Sequence, residues 1–249
     1  MRLGDWEIKD SQSPNLPISN YNSMKREDYL MRLIEAFAQQ LGKMLAQVLD
    51  LVDAGHYAEA HGAIDLATRE LSSLSTDGIV EMSDEALLVM LQMERRTDWA
   101  ERAAYLSFLL REDGRIYMQQ ADETAGVRRF LKALHLQLAV IPEKEQTVIT
   151  EEDIEVLLAD LEEYELPGRT YAALMTHYER GNRFGKAEDI LYDWLGAESV
   201  LADLNMYNPV EFGAAFYGRL LQLDDTVLKR SNLSREEVEA GLEELLSDE

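Results

Sequence analysis

The chain has 249 residues, 46% of them hydrophobic, enough to bury one large core or two small ones. Acids outnumber bases 48 to 24, and the formal charge of −24 repels both the phosphate backbone of nucleic acids and the anionic face of a membrane. With no cysteine, disulfides, thiolate catalysis and cysteine-ligated metals are excluded.

Residues 1–23 read as an N-terminal tail, because Ser, Asn and Pro dominate from Asp10 to Ser23 and no periodicity appears. The alternative is that the chain starts at Met24. No charged-then-apolar signal pattern is present, and no apolar run approaches the roughly 20 residues that span a bilayer. The expected location is therefore the cytoplasm, with neither nucleic acid nor membrane as partner.

From Met24 onward every pattern is helical, and residues 24–249 are expected to form a single all-helical domain. Tyr29, Leu30, Leu33, Ile34, Phe37, Leu41, Leu45, Val48 and Leu51 recur every three or four residues, the mark of one face of a long helix. Further along, Ser83 precedes DEALLVML and Thr150 precedes EEDIEVLLADL, both helix-start signals. Asn208-Pro209 places a capping residue before proline at the first helical position. Ser234 and Glu237 form a capping-box pattern before the last helix. Residues 143–165 are acidic, yet Ile154, Leu157, Leu158 and Leu161 keep a helical stripe, so this block reads as an amphipathic helix with a solvated face. The total comes to about nine to eleven helices of ordinary length.

Three segments carry a weak pattern of large residues where helices pack and small ones where backbones meet. In the first, Gly55, Tyr57, Ala60, Ile64 and Ala67 fit a turn followed by a helix. In the second, Gly114 and Tyr117 fall on one helix and Gly126, Phe130 and Ala133 on the next. In the third, Tyr171, Leu174, Tyr178, Phe184, Ala187 and Leu191 fit, while Met175 and Trp194 stand where small residues are usual. These segments resemble tetratricopeptide repeats, although they lie about 61 to 66 residues apart instead of 34, close to two periods. The resemblance implies an all-α fold of antiparallel helical hairpins, stacked as a short, irregular tetratricopeptide-like superhelix. Degenerate hairpins around residues 83–98 and 150–164 would fill the gaps. A generic helical bundle whose hairpins look alike is the alternative. The two ends, MKREDYLMRLIEAFAQQLGKML with GHYAEAHGAID and SNLSREEVEAGLEELL, also resemble an uncharacterised bacterial helical family known only as a domain of unknown function.

Chemistry-bearing motifs are missing. His56, His61, His135 and His177 form no HExxH or comparable spacing, and His135 reads as a packed or rim residue. Glu151–Asp153, Glu162–Glu163, Glu236–Glu237 and Glu243–Glu244 are the pairs so acidic a chain produces by default on solvated faces. The glycines at 168, 181 and 185 make no phosphate loop, and no GxSxG elbow occurs. No catalytic, cofactor-binding or metal-binding residue is expected, and no cofactor.

The repeat resemblance implies a concave groove lined by the first helix of each hairpin. It nominates Phe108, Arg111, Arg115 and Met118 in the second segment and Arg169, Thr176 and Glu179 in the third. Arg111 and Arg115 are one turn apart and able to grip one carboxylate together, or to pair with neighbouring acids. The family's chaperone-binding clamp is not carried over. Its positions hold Gly42, Leu45 and Leu49, and Leu45, Leu49 and Val52 are expected to pack against a helix. The expected function is a protein-protein interaction module or scaffold that holds a peptide or partner helix. The acidic exterior favours a partner with a basic surface, and a homo-oligomer is a further possibility. The alternatives are a small-ligand sensor or enzyme on a helical bundle, and a structural self-associating subunit.

Overall fold

The structure, a computed structural model, describes residue 39 and residues 41–93, 98–142, 149–197, 207–231 and 233–247. The proposed tail and the first part of the long helix lie outside the described residues. The chain divides into two compact units, Met1–His56 and Tyr57–Glu249.

In the first unit, residues 41–53 form α1. Leu41, Val48 and Val52 are buried along one stripe, and Leu45 is half-buried. Leu49 does not pack as expected: it is 56% exposed, on the flank of the helix about 80° round from that stripe.

In the second unit every regular element among the described residues is a helix. The order is α2 (Tyr57–Ser72), α3 (Thr76–Glu81), α4 (Asp84–Met93), α5 (Trp99–Gln119), α6 (Glu123–Val140) and α7 (Glu151–Asp160). There follow α8 (Gly168–Arg180), α9 (Phe184–Gly196), α10 (Pro209–Leu220), α11 (Asp225–Arg230) and α12 (Arg235–Ser247). None of the described helices is long and apolar enough to cross a membrane. The count exceeds the sequence expectation because α3 and α11 are six-residue helices, too short to show a period. The two gap regions hold single ten-residue helices, α4 and α7.

The cap signals sit where the sequence places them. The Asn208 side chain accepts from the Val210 N–H at 2.9 Å with Pro209 opening α10. Asp153 accepts from the Thr150 N–H at 2.8 Å, Ser83 Oγ from the Ala86 N–H at 3.2 Å, and Glu237 from the Ser234 N–H at 2.6 Å.

Three helix ends share one turn. Gly55, Ala121 and Asn182 have φ of 77°, 59° and 55°, the left-handed region. In each case the N–H of that residue bonds a carbonyl three residues back, and the next N–H bonds one five back: His56 to Leu51, Asp122 to Tyr117, Arg183 to Tyr178. This is the double hydrogen bond that satisfies the last carbonyls of a helix before the chain reverses. At 121 and 182 the reversal produces the antiparallel hairpins α5–α6 and α8–α9.

The α5–α6 hairpin is the most extensive helix pair. A Cβ on Gly114 would stand 2.7 Å from the Phe130 ring, and one on Gly126 would stand 2.4 Å from the Met118 Sδ. Glycine at both positions lets the two backbones touch. A charge cluster centred on the buried Asp113 and Arg129 ties this hairpin to α2 and α3. Asp113 of α5 holds His61 of α2 at 2.6 Å and is paired with Arg129 of α6. Arg129 reaches Asp77 of α3 at 2.6 Å and lies 4.0 Å above the Tyr117 ring. Arg102 adds a cap: its Nε donates to the Leu71 carbonyl in the last turn of α2 at 2.8 Å.

The α8–α9 hairpin buries Met175 and takes up the oversized Trp194 by local adjustment. Trp194 stacks on Tyr171 with centroids 5.8 Å apart, and its indole lies 3.4 Å from where a Cβ on Gly168 would be. The smallest residue thus faces the largest. Tyr217 of α10 donates to Glu188 of α9 at 2.8 Å, in a layer that α12 closes through Val238 and Leu245, both buried.

Candidate functional site

One face of α8 is buried through Tyr171, Leu174, Met175 and Tyr178. The adjoining stripe carries Arg169, Ala172, Ala173, Thr176 and Arg180, again at spacings of three and four. Because its middle residues are small, α8 leaves a trough. His135, Leu138, Ala139 and Ile141 of the α6 end face it, with Asp84 and Glu85 from the start of α4, Glu151 from the start of α7, and Tyr207 and Phe212 at α10. The resulting cavity is an open groove of about 550 Å³.

Two ion clusters flank the groove. At one, Asp84 accepts from Lys132 and from His135 Nδ1, with Arg169 3.6 Å away. With its proton on Nδ1, His135 accepts at Nε2 from the Thr170 hydroxyl at 2.9 Å. Lys132 also donates to the Met82 carbonyl at 2.6 Å, so the buried ammonium has two oxygen partners. Burial opposes ionisation of Asp84, but the hydrogen bonds from His135 and Lys132 outweigh it and hold the carboxyl far below the usual carboxylate range.

At the other cluster, Glu151 accepts from His177 Nε2 at 2.9 Å and from Arg183. Here too burial is outweighed by the two donors, and the Glu151 carboxyl is held low. Arg183 also lies 2.9 Å from His177 Nε2 and covers the Tyr178 ring at 4.6 Å. Tyr178 donates to Glu155 at 3.3 Å, and Lys186 meets the same carboxylate at 2.5 Å. Burial, then the charge on Glu155, pushes the Tyr178 phenol up.

The residues nominated from sequence separate into two groups. Arg169 and Thr176 line the groove. Phe108, Arg111, Arg115 and Met118 lie along α5 and do not line it. Arg111 and Arg115 both bond Glu112 at 3.1 Å, and Arg115 also bonds Asp160 of α7 at 3.1 Å. Met118 is packed where Gly126 leaves room. Glu179 turns away from the groove and receives two hydrogen bonds from Arg219 of α10, at 2.7 and 2.8 Å.

Sequence reasoning missed Arg180, His135 and His177 as groove residues. Arg180 was legible, since it continues the stripe of Arg169, Ala172, Ala173 and Thr176 by one turn. The histidines were not, because their carboxylate partners are 51 and 26 residues away. Both line the groove, each beside its own carboxylate. Among the described residues no three His, Cys, Asp or Glu side chains gather as a metal site.

No curated protein and no solved structure matches the chain. A model of a family of unknown function, DUF6483, matches residues 24–249, and the chain belongs to that family.

Proposed function

We propose that the protein is an interaction module: a short, irregular tetratricopeptide-like array that holds a segment of a partner protein in the groove along α8 and carries out no chemistry of its own. The observation that supports this reading most is the groove itself. About 550 Å³ of open trough has a largely apolar lining and polar groups at its two flanks, the composition of a binding surface. The shared left-handed turns after residues 120 and 181 support the repeat-like part of the reading, as do the small residues at the α5–α6 crossing. The acidic exterior attracts a partner with a basic surface and speeds its approach, and the groove then sets the register.

A cross-linked pull-down from the source cells, using the full chain and an Ala173→Trp variant whose indole fills the groove, tests this. A protein recovered with the wild type and lost with a variant of unchanged circular dichroism supports the reading. Equal recovery with both removes the groove from it.

A further inference from the structure

We infer that the groove takes an extended, acidic-ended segment: about five residues, apolar in the middle, with a carboxylate at each end. This rests on the interaction-module reading and names the chemistry of the partner. Arg169 and Arg180 are eleven residues apart on α8. Eleven residues make three turns, which puts both arginines on one side of the helix, their Cα atoms about 16 Å apart at about 1.5 Å per residue. Between them α8 lines the groove with Ala172, Ala173, Thr176 and His177, and the facing wall includes Leu138, Ile141 and Phe212. The pattern is cation, largely apolar trough, cation.

The charges are only partly matched. Asp84 is held by Lys132 and His135 and also pairs at 3.6 Å with Arg169, whose side chain is 47% exposed. Glu151 is held by His177 and Arg183. Arg180 makes no ion pair among the described residues, and Glu85 stands exposed at the rim. The groove lining carries Asp84, Glu85 and Glu151 with Arg169 and Arg180, and from outside it Lys132 neutralises Asp84 and Arg183 neutralises Glu151, which leaves Glu85 with two arginines in a chain of net charge −24. A segment ending in carboxylates finds charge-assisted partners here.

Reach separates an extended strand from a helix. A helix needs about eleven residues to span about 16 Å at about 1.5 Å per residue. An extended chain at about 3.3 Å per residue covers the same span with about five residues.

The test is a random heptapeptide display library panned against the full chain, and in parallel against Arg169→Gln and Arg180→Gln. Enriched peptides are then synthesised and titrated by fluorescence anisotropy. The expected consensus has two acidic residues four to six positions apart with apolar residues between. Its affinity should fall about tenfold on either arginine variant, the loss of one charge-assisted contact, and equally when the peptide's acids become glutamine. Both variants should keep the wild-type circular dichroism and Tm. A consensus without acids, affinities unmoved by either arginine change, or no consensus overturns the inference. If a consensus without acids is still blocked by Ala173→Trp, or by Thr176→Arg should the first variant fail to fold, the groove remains a docking site and only its acidic specificity falls. If no peptide is enriched and the pull-down shows no difference, both readings fall.

Discussion

Gly114 of α5 and Gly126 of α6 face each other so closely that a Cβ on either would stand 3.1 Å from the other's carbonyl oxygen. The neighbouring side chains differ in how far they yield. The Gly114 Cβ would meet the ring of Phe130, which is 2% exposed and pinned, whereas the Gly126 Cβ would meet the end of the flexible Met118 chain. Alanine adds helix propensity of about 1 kcal/mol at either site. Gly114→Ala should nevertheless destabilise by about 1–3 kcal/mol through overpacking, and Gly126→Ala should come out close to neutral. Urea denaturation of the two variants checks this, and equal losses would contradict it.

Asp84→Asn should destabilise the second unit at pH 7 by about 2–3 kcal/mol, because it leaves the Lys132 ammonium, whose side chain is 5% exposed, without its counter-charge. The sign with pH follows from the lowered carboxyl. A depressed carboxylate contributes its stability above its unfolded value, near pH 4, and loses it as pH falls through the folded value. The gap between wild type and variant in urea midpoint should be level from pH 5 to 7 and narrow below pH 4.

Glu101 behaves oppositely. Burial, then the neighbouring Asp98, pushes its carboxyl up to about 7. The folded state holds the proton more tightly than the unfolded chain, so stability falls as pH rises from about 4.5 to 7. Glu101 is only half-buried, which discounts the effect to about 1–2 kcal/mol. Glu101→Gln should raise the Tm at pH 8 and change it little at pH 4.5.

Ala121 holds a left-handed φ of 59°, a conformation that a side chain with Cβ adopts at a cost. Ala121→Gly should stabilise by about 0.5–1 kcal/mol. Asn182 has a similar φ, but asparagine tolerates the region, so Asn182→Gly should gain less. Thermal melts of the two variants side by side decide it.

The helices and their starts were legible in the sequence because caps act over three residues. Asn208 with Pro209, Thr150 with Asp153, and Ser234 with Glu237 are complete signals within one turn. Trp194 was readable as an exception, though its remedy, the approach of Gly168, was not. The groove was half legible: Arg169 and Thr176 follow from the stripe on α8. Arg111 and Arg115 stand one turn apart as a basic pair, but Glu112 is their neighbour and Asp160 reaches Arg115 from 45 residues away. Asp84 with His135 and Asp113 with His61 are joined across about 50 residues, and no local pattern announces such partners.

The turn at Ala121 bears on the order in which the chain assembles. It joins the two helices with the most extensive shared interface, and their contacts close loops as short as that from Gly114 to Gly126. Short loops cost little entropy to close, so the search for α6 is over before any distant segment must be found. Folding should begin at this hairpin. The longer closures that bring His61 to Asp113 and Asp84 to His135 come afterwards, onto a surface already in place.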